Sequence, residues 1–67
     1  MKNRIRELRK LSKLSQEELA KLCNVTRQTI NAIENDKYDP TLQLAFSMAS
    51  ALDTTVDELF INDGVRK

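Results

Sequence analysis

The sequence predicts an all-α domain, a compact bundle of five short helices. Three observations carry this. Apolar residues recur at spacings of three and four along nearly the whole chain, capping residues stand before several of those runs, and no alternating β-branched stretch is long enough to found a sheet-based core. Sixty-seven residues, 40% hydrophobic and 31% charged, suit one ordered domain over 1–67, with a core from about 4 to 60 and a tail over 61–67. No second, effector-sensing domain is expected.

The first helix is expected from Arg4 to Ser12, with Ile5, Leu8 and Leu11 on its apolar side. The second opens at Ser15, whose hydroxyl can cap the helix while Glu18 reaches back, a capping box ahead of Leu19, Ala20 and Leu22. Asn24 follows Cys23, and asparagine accepts left-handed backbone better than any residue but glycine, so Asn24-Val25-Thr26 reads as a tight turn. Thr26 then caps a third helix running to about Glu34, with Ile30 and Ile33 inward. The polar run before Pro40 is a loop. The fourth helix, about Leu42 to Leu52, shows a broad apolar face of Leu42, Leu44, Ala45, Met48, Ala49 and Leu52. Thr55 and Glu58 make a second capping box for a short fifth helix through Leu59. In the tail, Asp63-Gly64 between Ile61 and Val65 is a hairpin signal, and a short terminal β-hairpin around 62–64 is the expectation.

Composition removes several function classes. With no His and only Cys23, there is neither a disulfide framework nor a metal site of usual spacing, and no nucleophile–base pair for an enzyme. A single Gly leaves no phosphate-cradling loop. No cofactor, metal or small-molecule ligand is expected. Cys23 reads as a small buried apolar group, and a lone thiol suits a reducing cytoplasm. No run approaches the roughly 20 apolar residues that span a bilayer, so a cytoplasmic protein without a membrane partner is expected.

Net charge is only +1, but it is unevenly placed. Residues 1–37 hold nine Lys/Arg against five Asp/Glu, whereas residues 38–67 hold two against five. One basic, phosphate-facing half is what this asymmetry predicts.

Two helices joined by a tight turn form the geometry in which one helix braces on the DNA backbone while the next enters the major groove. At about 100° per residue, burying Ile30 and Ile33 turns Gln28, Asn31, Ala32 and Asn35 outward, with Arg27 on the flank. These are base-reading side chains. Arg pairs bidentately with guanine, Gln and Asn with adenine, and Ala or a Thr methyl meets the thymine methyl.

The blocks Ile5-x-x-Leu8-Arg9, Leu14-Ser15-Gln16-x-x-Leu19-Ala20 and Val25-Thr26-x-x-x-Ile30-x-x-Ile33-Glu34-Asn35 resemble the Cro/C1-type (XRE-like) helix-turn-helix family. Pro40-x-Leu42 and Ala51-Leu52-x-x-x-Val56-x-x-Leu59-Phe60 continue the match, which covers about residues 4–60. The resemblance implies a lambda-repressor-like fold, a tail hairpin that pairs with residues 1–3, and a double-stranded DNA operator as partner. It implies base-facing roles for Thr26, Arg27, Gln28 and Ala32, which Asn31 joins by its place on the outer face. Phosphate-facing roles are implied for Gln16, Thr29, Asn35, Lys37 and Tyr38, and a structural ion pair for Arg9 and Glu34. Lys13, Asn24 and Asp36 stand where the family often has glycine, and asparagine and aspartate accept left-handed backbone better than lysine.

One recognition helix reads too few base pairs to select a site in a genome, so a homodimer on a palindromic operator is expected, with half-sites about 34 Å apart. The expected dimer surface is Leu59, Phe60, Ile61 and Val65, away from the basic half. Repression by promoter occlusion follows from a domain that only binds DNA. The alternatives are an antitoxin of the same fold that binds DNA and a toxin, and a helical protein-interaction module with no DNA role.

Overall fold

A computed structural model describes residues 2–61, and the expected hairpin over 62–64 and Val65 lie outside this range. The order is β1 (Lys2–Asn3), α1 (Ile5–Leu11), α2 (Gln16–Cys23), α3 (Arg27–Glu34), α4 (Leu42–Ala51), α5 (Val56–Leu59) and β2 (Phe60–Ile61). The five helices close on one core of Ile5, Leu19, Ile30, Ile33, Met48 and Leu59, all essentially inaccessible, with Ala20, Cys23, Ala45, Ala49, Leu52 and Phe60 around them. α2 packs on both α3 and α4, and α4 on α5.

Local chemistry sets the helix starts. Ser15 forms a complete capping box: its hydroxyl accepts from the Glu18 amide at 3.0 Å, and Glu18 Oε1 accepts from the Ser15 amide at 2.8 Å. Thr26 and Thr41 cap α3 and α4 in the same way, each accepting from the amide three residues on. Thr55 accepts from the Glu58 amide, but the second capping box is only half formed. Glu58 Oε1 accepts from Thr54 Oγ1 at 3.0 Å.

Four non-glycine residues end their helices in left-handed backbone: Lys13, Asn24 and Asp36 at φ 60° and Asp53 at φ 56°. The first three are the positions singled out in the sequence, so the backbone keeps its course with lysine, asparagine and aspartate in place of glycine. Asp53 follows α4 and carries the same geometry without having been anticipated.

Three apolar residues expected inward are exposed. Leu11 is 72% exposed, since the inward stripe of α1 runs through Ile5, Leu8 and the buried Arg9. Leu22 lies at the edge of the stripe Leu19, Ala20 and Cys23 and is 61% exposed. Leu42, in the first turn of α4, overhangs the core and is 67% exposed.

β1 pairs antiparallel with β2, Lys2 opposite Ile61 and Asn3 opposite Phe60, and the Arg4 amide adds a bond to the Leu59 carbonyl at 2.8 Å. This pairing draws Leu59 and Phe60 into the protomer's own core, at 0% and 6% exposure. Of the expected dimer residues described, only Ile61 keeps substantial exposed surface.

Candidate nucleic-acid interface

The turn between α2 and α3 is built by Asn24. With φ 60° and ψ 42° it reverses the chain, its amide bonds back to the Ala20 and Lys21 carbonyls, and the Val25 amide reaches Ala20 O at 2.9 Å. Val25 packs on the core and Thr26 restarts the helix. Thr26 Oγ1 accepts from the Thr29 amide at 3.2 Å and lies 3.0 Å from Thr29 Oγ1.

On α3, Ile30 and Ile33 face the core while Arg27, Gln28 and Asn31 are exposed and Thr29 and Ala32 are half-buried. Thr26, Gln28, Thr29, Ala32 and Tyr38 line a shallow hollow of about 270 Å³ on the outer side of the helix. Tyr38, in the loop after α3, forms one wall and is itself half exposed. Lys37 and Asn35 are exposed in the same loop, where the Lys37 amide bonds to the Ala32 carbonyl at 2.9 Å.

The anchor of α3 is Glu34. Its side chain is fully inaccessible, yet it accepts four bonds: from Arg9 Nε at 2.7 Å, Arg9 Nη2 at 3.3 Å, Gln16 Nε2 at 3.1 Å and Arg6 Nε at 3.3 Å. Arg9, with a side chain 10% exposed, also donates to the Leu14 carbonyl at 2.9 Å. Burial pushes the Glu34 carboxyl up, but the bonds from Arg9 and Gln16, the Arg9 charge and the bond from Arg6 outweigh it. Glu34 therefore titrates below the ordinary 4.5. No buried side-chain nitrogen or oxygen lacks a partner among the described residues.

The anchor extends into a closed ring of side chains. Arg6 donates to Asn35 Oδ1 at 3.1 Å, Asn35 to Asn31 Oδ1 at 3.1 Å, Asn31 to Gln16 Oε1 at 3.5 Å, and Gln16 to Glu34, which Arg6 also meets. The ring joins α1, the first residue of α2 and the outer face of α3. These bonds turn the Gln16, Asn31 and Asn35 amides toward one another, the Asn31–Gln16 contact being the longest.

Two members of this scaffold were missed in the sequence. Arg6 lies one turn before Arg9 on α1, a spacing that could have marked it. Asn3 donates to the Ile33 carbonyl at 2.8 Å and accepts from the Ile5 amide at 3.1 Å, tying the end of α3 to β1. Thirty residues separate Asn3 from Ile33, and no local pattern signals such a contact. Cys23 is buried, and burial pushes its thiol up, the reverse of what a reactive thiolate needs. No cluster of metal-ligating side chains occurs among the described residues, and no described helix is long and apolar enough to cross a membrane.

A family model described as helix-turn-helix matches residues 5–59. The chain belongs to the Cro/C1-type helix-turn-helix family. It is therefore a DNA-binding transcriptional regulator of helix-turn-helix fold. A relative from Methanocaldococcus jannaschii, described as an uncharacterized HTH-type transcriptional regulator, is 49% identical over 61 residues, spanning 91% of this chain and 92% of its own. The control protein C.SmaI of Serratia marcescens is 32% identical over 62 residues, which is 92% of this chain and 74% of that protein. Among solved structures, the restriction-modification controller protein C.AhdI of Aeromonas hydrophila superposes with a TM-score of 0.79 at 38% identity, covering 85% of this chain and 86% of that one. Over that span the regulator shares its fold with C.AhdI.

Proposed function

We propose that this regulator binds a palindromic operator in double-stranded DNA as a homodimer and represses by occluding a promoter. The observation that carries the reading is the outer face of α3, where exposed Arg27, Gln28 and Asn31 project from a helix whose far end is fixed through inaccessible Glu34. Helix-turn-helix proteins read bases with side chains of such a helix, chiefly from its first turns.

In this reading Thr26, Arg27, Gln28, Asn31 and Ala32 face the bases. Arg27 has the donors for guanine O6 and N7, Gln28 can pair with adenine, and the hollow between Ala32, Thr29 and Tyr38 has the shape and chemistry to take a thymine methyl. Gln16, Thr29, Asn35, Lys37 and Tyr38 face phosphates. Gln16 Nε2 has given one hydrogen to Glu34 and keeps a second for a phosphate oxygen, at a helix N-terminus where the dipole favours an anion. Arg9 and Glu34 act as structure.

The reading is tested by fluorescence titration against the gene's own upstream DNA at two salt concentrations, beside an Arg27→Ala, Gln28→Ala variant. Salt-sensitive binding that the variant loses on the upstream DNA, while keeping weak affinity for random DNA, supports base readout by α3. Equal binding of both proteins to both DNAs contradicts it.

A further inference from the structure

Arg6 belongs to α1, outside the two helices that form the helix-turn-helix, yet its guanidinium reaches the end of α3. Its Nε donates to Glu34 Oε1 at 3.3 Å, and because the Glu34 side chain is inaccessible this contact holds the head group in place. Its Nη2 donates to Asn35 Oδ1 at 3.1 Å, and Asn35 Nδ2 donates in turn to Asn31 Oδ1 at 3.1 Å. Asn31 is exposed and stands one turn after Arg27 on the face of α3 read above as base-contacting.

The order of donors in this chain has one solution. A carboxamide can turn over and exchange its donor for its acceptor, whereas a guanidinium only donates and a carboxylate only accepts. Arg6 therefore holds the Asn35 oxygen toward itself, the Asn35 nitrogen faces Asn31, and the Asn31 oxygen turns toward Asn35. From the other end, Glu34 takes the Gln16 nitrogen at 3.1 Å, and Gln16 Oε1 then meets Asn31 Nδ2. Both ends impose the same direction, but not equally. The Asn31–Gln16 contact is 3.5 Å, at the limit of a hydrogen bond, whereas the route from Arg6 runs through two bonds of 3.1 Å. The Arg6 branch governs the Asn31 amide.

Direction matters for recognition. Adenine offers an acceptor at N7 beside a donor at N6, and an amide turned over no longer complements that pair in the same place. We propose that Arg6 is a positioning residue for base reading: through Asn35 it fixes which way round Asn31 presents its donor and acceptor, and so which base Asn31 prefers. The inference rests on the proposed base-facing role of Asn31 and adds a residue of α1 to what determines specificity.

The test is fluorescence titration of the full chain against the duplex that wild type selects from random DNA, and against duplexes carrying each single-base replacement in it. Wild type is compared with Asn31→Ala, Arg6→Met, Arg6→Gln, Arg6→Lys and the Arg6→Met, Asn31→Ala double variant, with circular dichroism to establish folding. The Arg6 side chain is 53% exposed, and three replacements of similar length guard against any one failing to fold. Asn31→Ala marks the position that Asn31 reads, by a fall in discrimination of about tenfold there. Arg6→Met is expected to lower discrimination at that same position by about threefold or more and to have no further effect in the Asn31→Ala protein. The positions read by Arg27 and Gln28, and the salt slope, should stay as in wild type. Arg6→Lys, whose head group also only donates, should discriminate better than Arg6→Gln, which can accept as well.

Three outcomes overturn the inference. One is a folded Arg6→Met protein that discriminates like wild type. Another is a loss spread evenly over all positions with a salt slope lower by about 1, which makes Arg6 a phosphate contact. The third is an Arg6→Gln protein that matches or exceeds Arg6→Lys. Asn31→Ala, measured alone, separates the two readings. If it discriminates like wild type everywhere, the base-facing role of Asn31 falls and the inference with it, whereas an Asn31→Ala loss without an Arg6→Met loss overturns the inference and leaves that role standing.

Discussion

Replacing Glu34 with alanine tests the anchor of the recognition helix. The substitution removes the acceptor of four bonds and leaves the Arg9 guanidinium, 10% exposed, with only the Leu14 carbonyl. Breaking a buried pair from one side costs about 3–5 kcal/mol, because the surviving charge stays in a poorly hydrated site. A domain of this size has roughly 3–10 kcal/mol in total. At about 4–8 °C per kcal/mol, the midpoint of thermal unfolding should fall by at least about 12 °C. Arg9→Met combined with Glu34→Leu removes both charges at once and should recover most of that loss, since a well-packed apolar replacement is often neutral. Thermal unfolding followed by far-ultraviolet circular dichroism measures both. A Glu34→Ala midpoint within about 4 °C of wild type, or a double variant no better than Glu34→Ala, would refute the reasoning.

The same carboxylate gives a pH dependence. Glu34 titrates lower in the folded chain than its ordinary 4.5, so its contribution is full above that value and is lost as pH falls through the lower folded value. Acid titration of the melting midpoint should show Glu34→Gln losing less stability than wild type below about pH 4.5; parallel curves would speak against it. Ser15→Ala removes the hydroxyl half of the capping box and should cost about 1 kcal/mol in urea unfolding with an unchanged slope. Lys13 at φ 60° meets a steric cost that glycine escapes, partly offset by glycine's greater unfolded entropy. Lys13→Gly should thus equal or exceed wild type in midpoint, and a clear fall would contradict the strain. Lys37→Ala should weaken binding to all DNA sequences alike and lower the slope of log affinity against log salt by about 1; an unchanged slope would remove Lys37 from the phosphate contacts.

Features written in local spacing were legible in the sequence. The Ser15-x-x-Glu18 box, the Thr26 cap and the Asn24 turn each depend on residues within four positions, and the structure has all three. The outer face of α3 followed from helical rotation once Ile30 and Ile33 were inward. What the sequence hid depends on which helix passes where. Arg9 fills the inward slot of α1 and displaces Leu11 to solvent, and Leu22 and Leu42 emerge at the edges of their stripes. Nothing local announced that Asn3 ties down the end of α3, or that Arg6 closes a ring through Asn35, Asn31 and Gln16. A strand near residues 1–3 was expected, but Phe60–Ile61 as its partner was not, because two residues are too few to show a period, and their pairing is what takes Phe60 out of the accessible surface.

The central claim is that α3 reads bases as half of a symmetric pair. Its most direct test is selection of bound sequences from random DNA by wild type and by Arg27→Ala. The expected wild-type motif is a palindrome with half-site centres about one helical turn apart. Arg27→Ala should yield the same palindrome with preference lost at one position in each half-site, at a cost of about 1–3 kcal/mol per readout pair. An unsymmetric motif, no enriched motif, or one that Arg27→Ala leaves unchanged would contradict base reading by this helix.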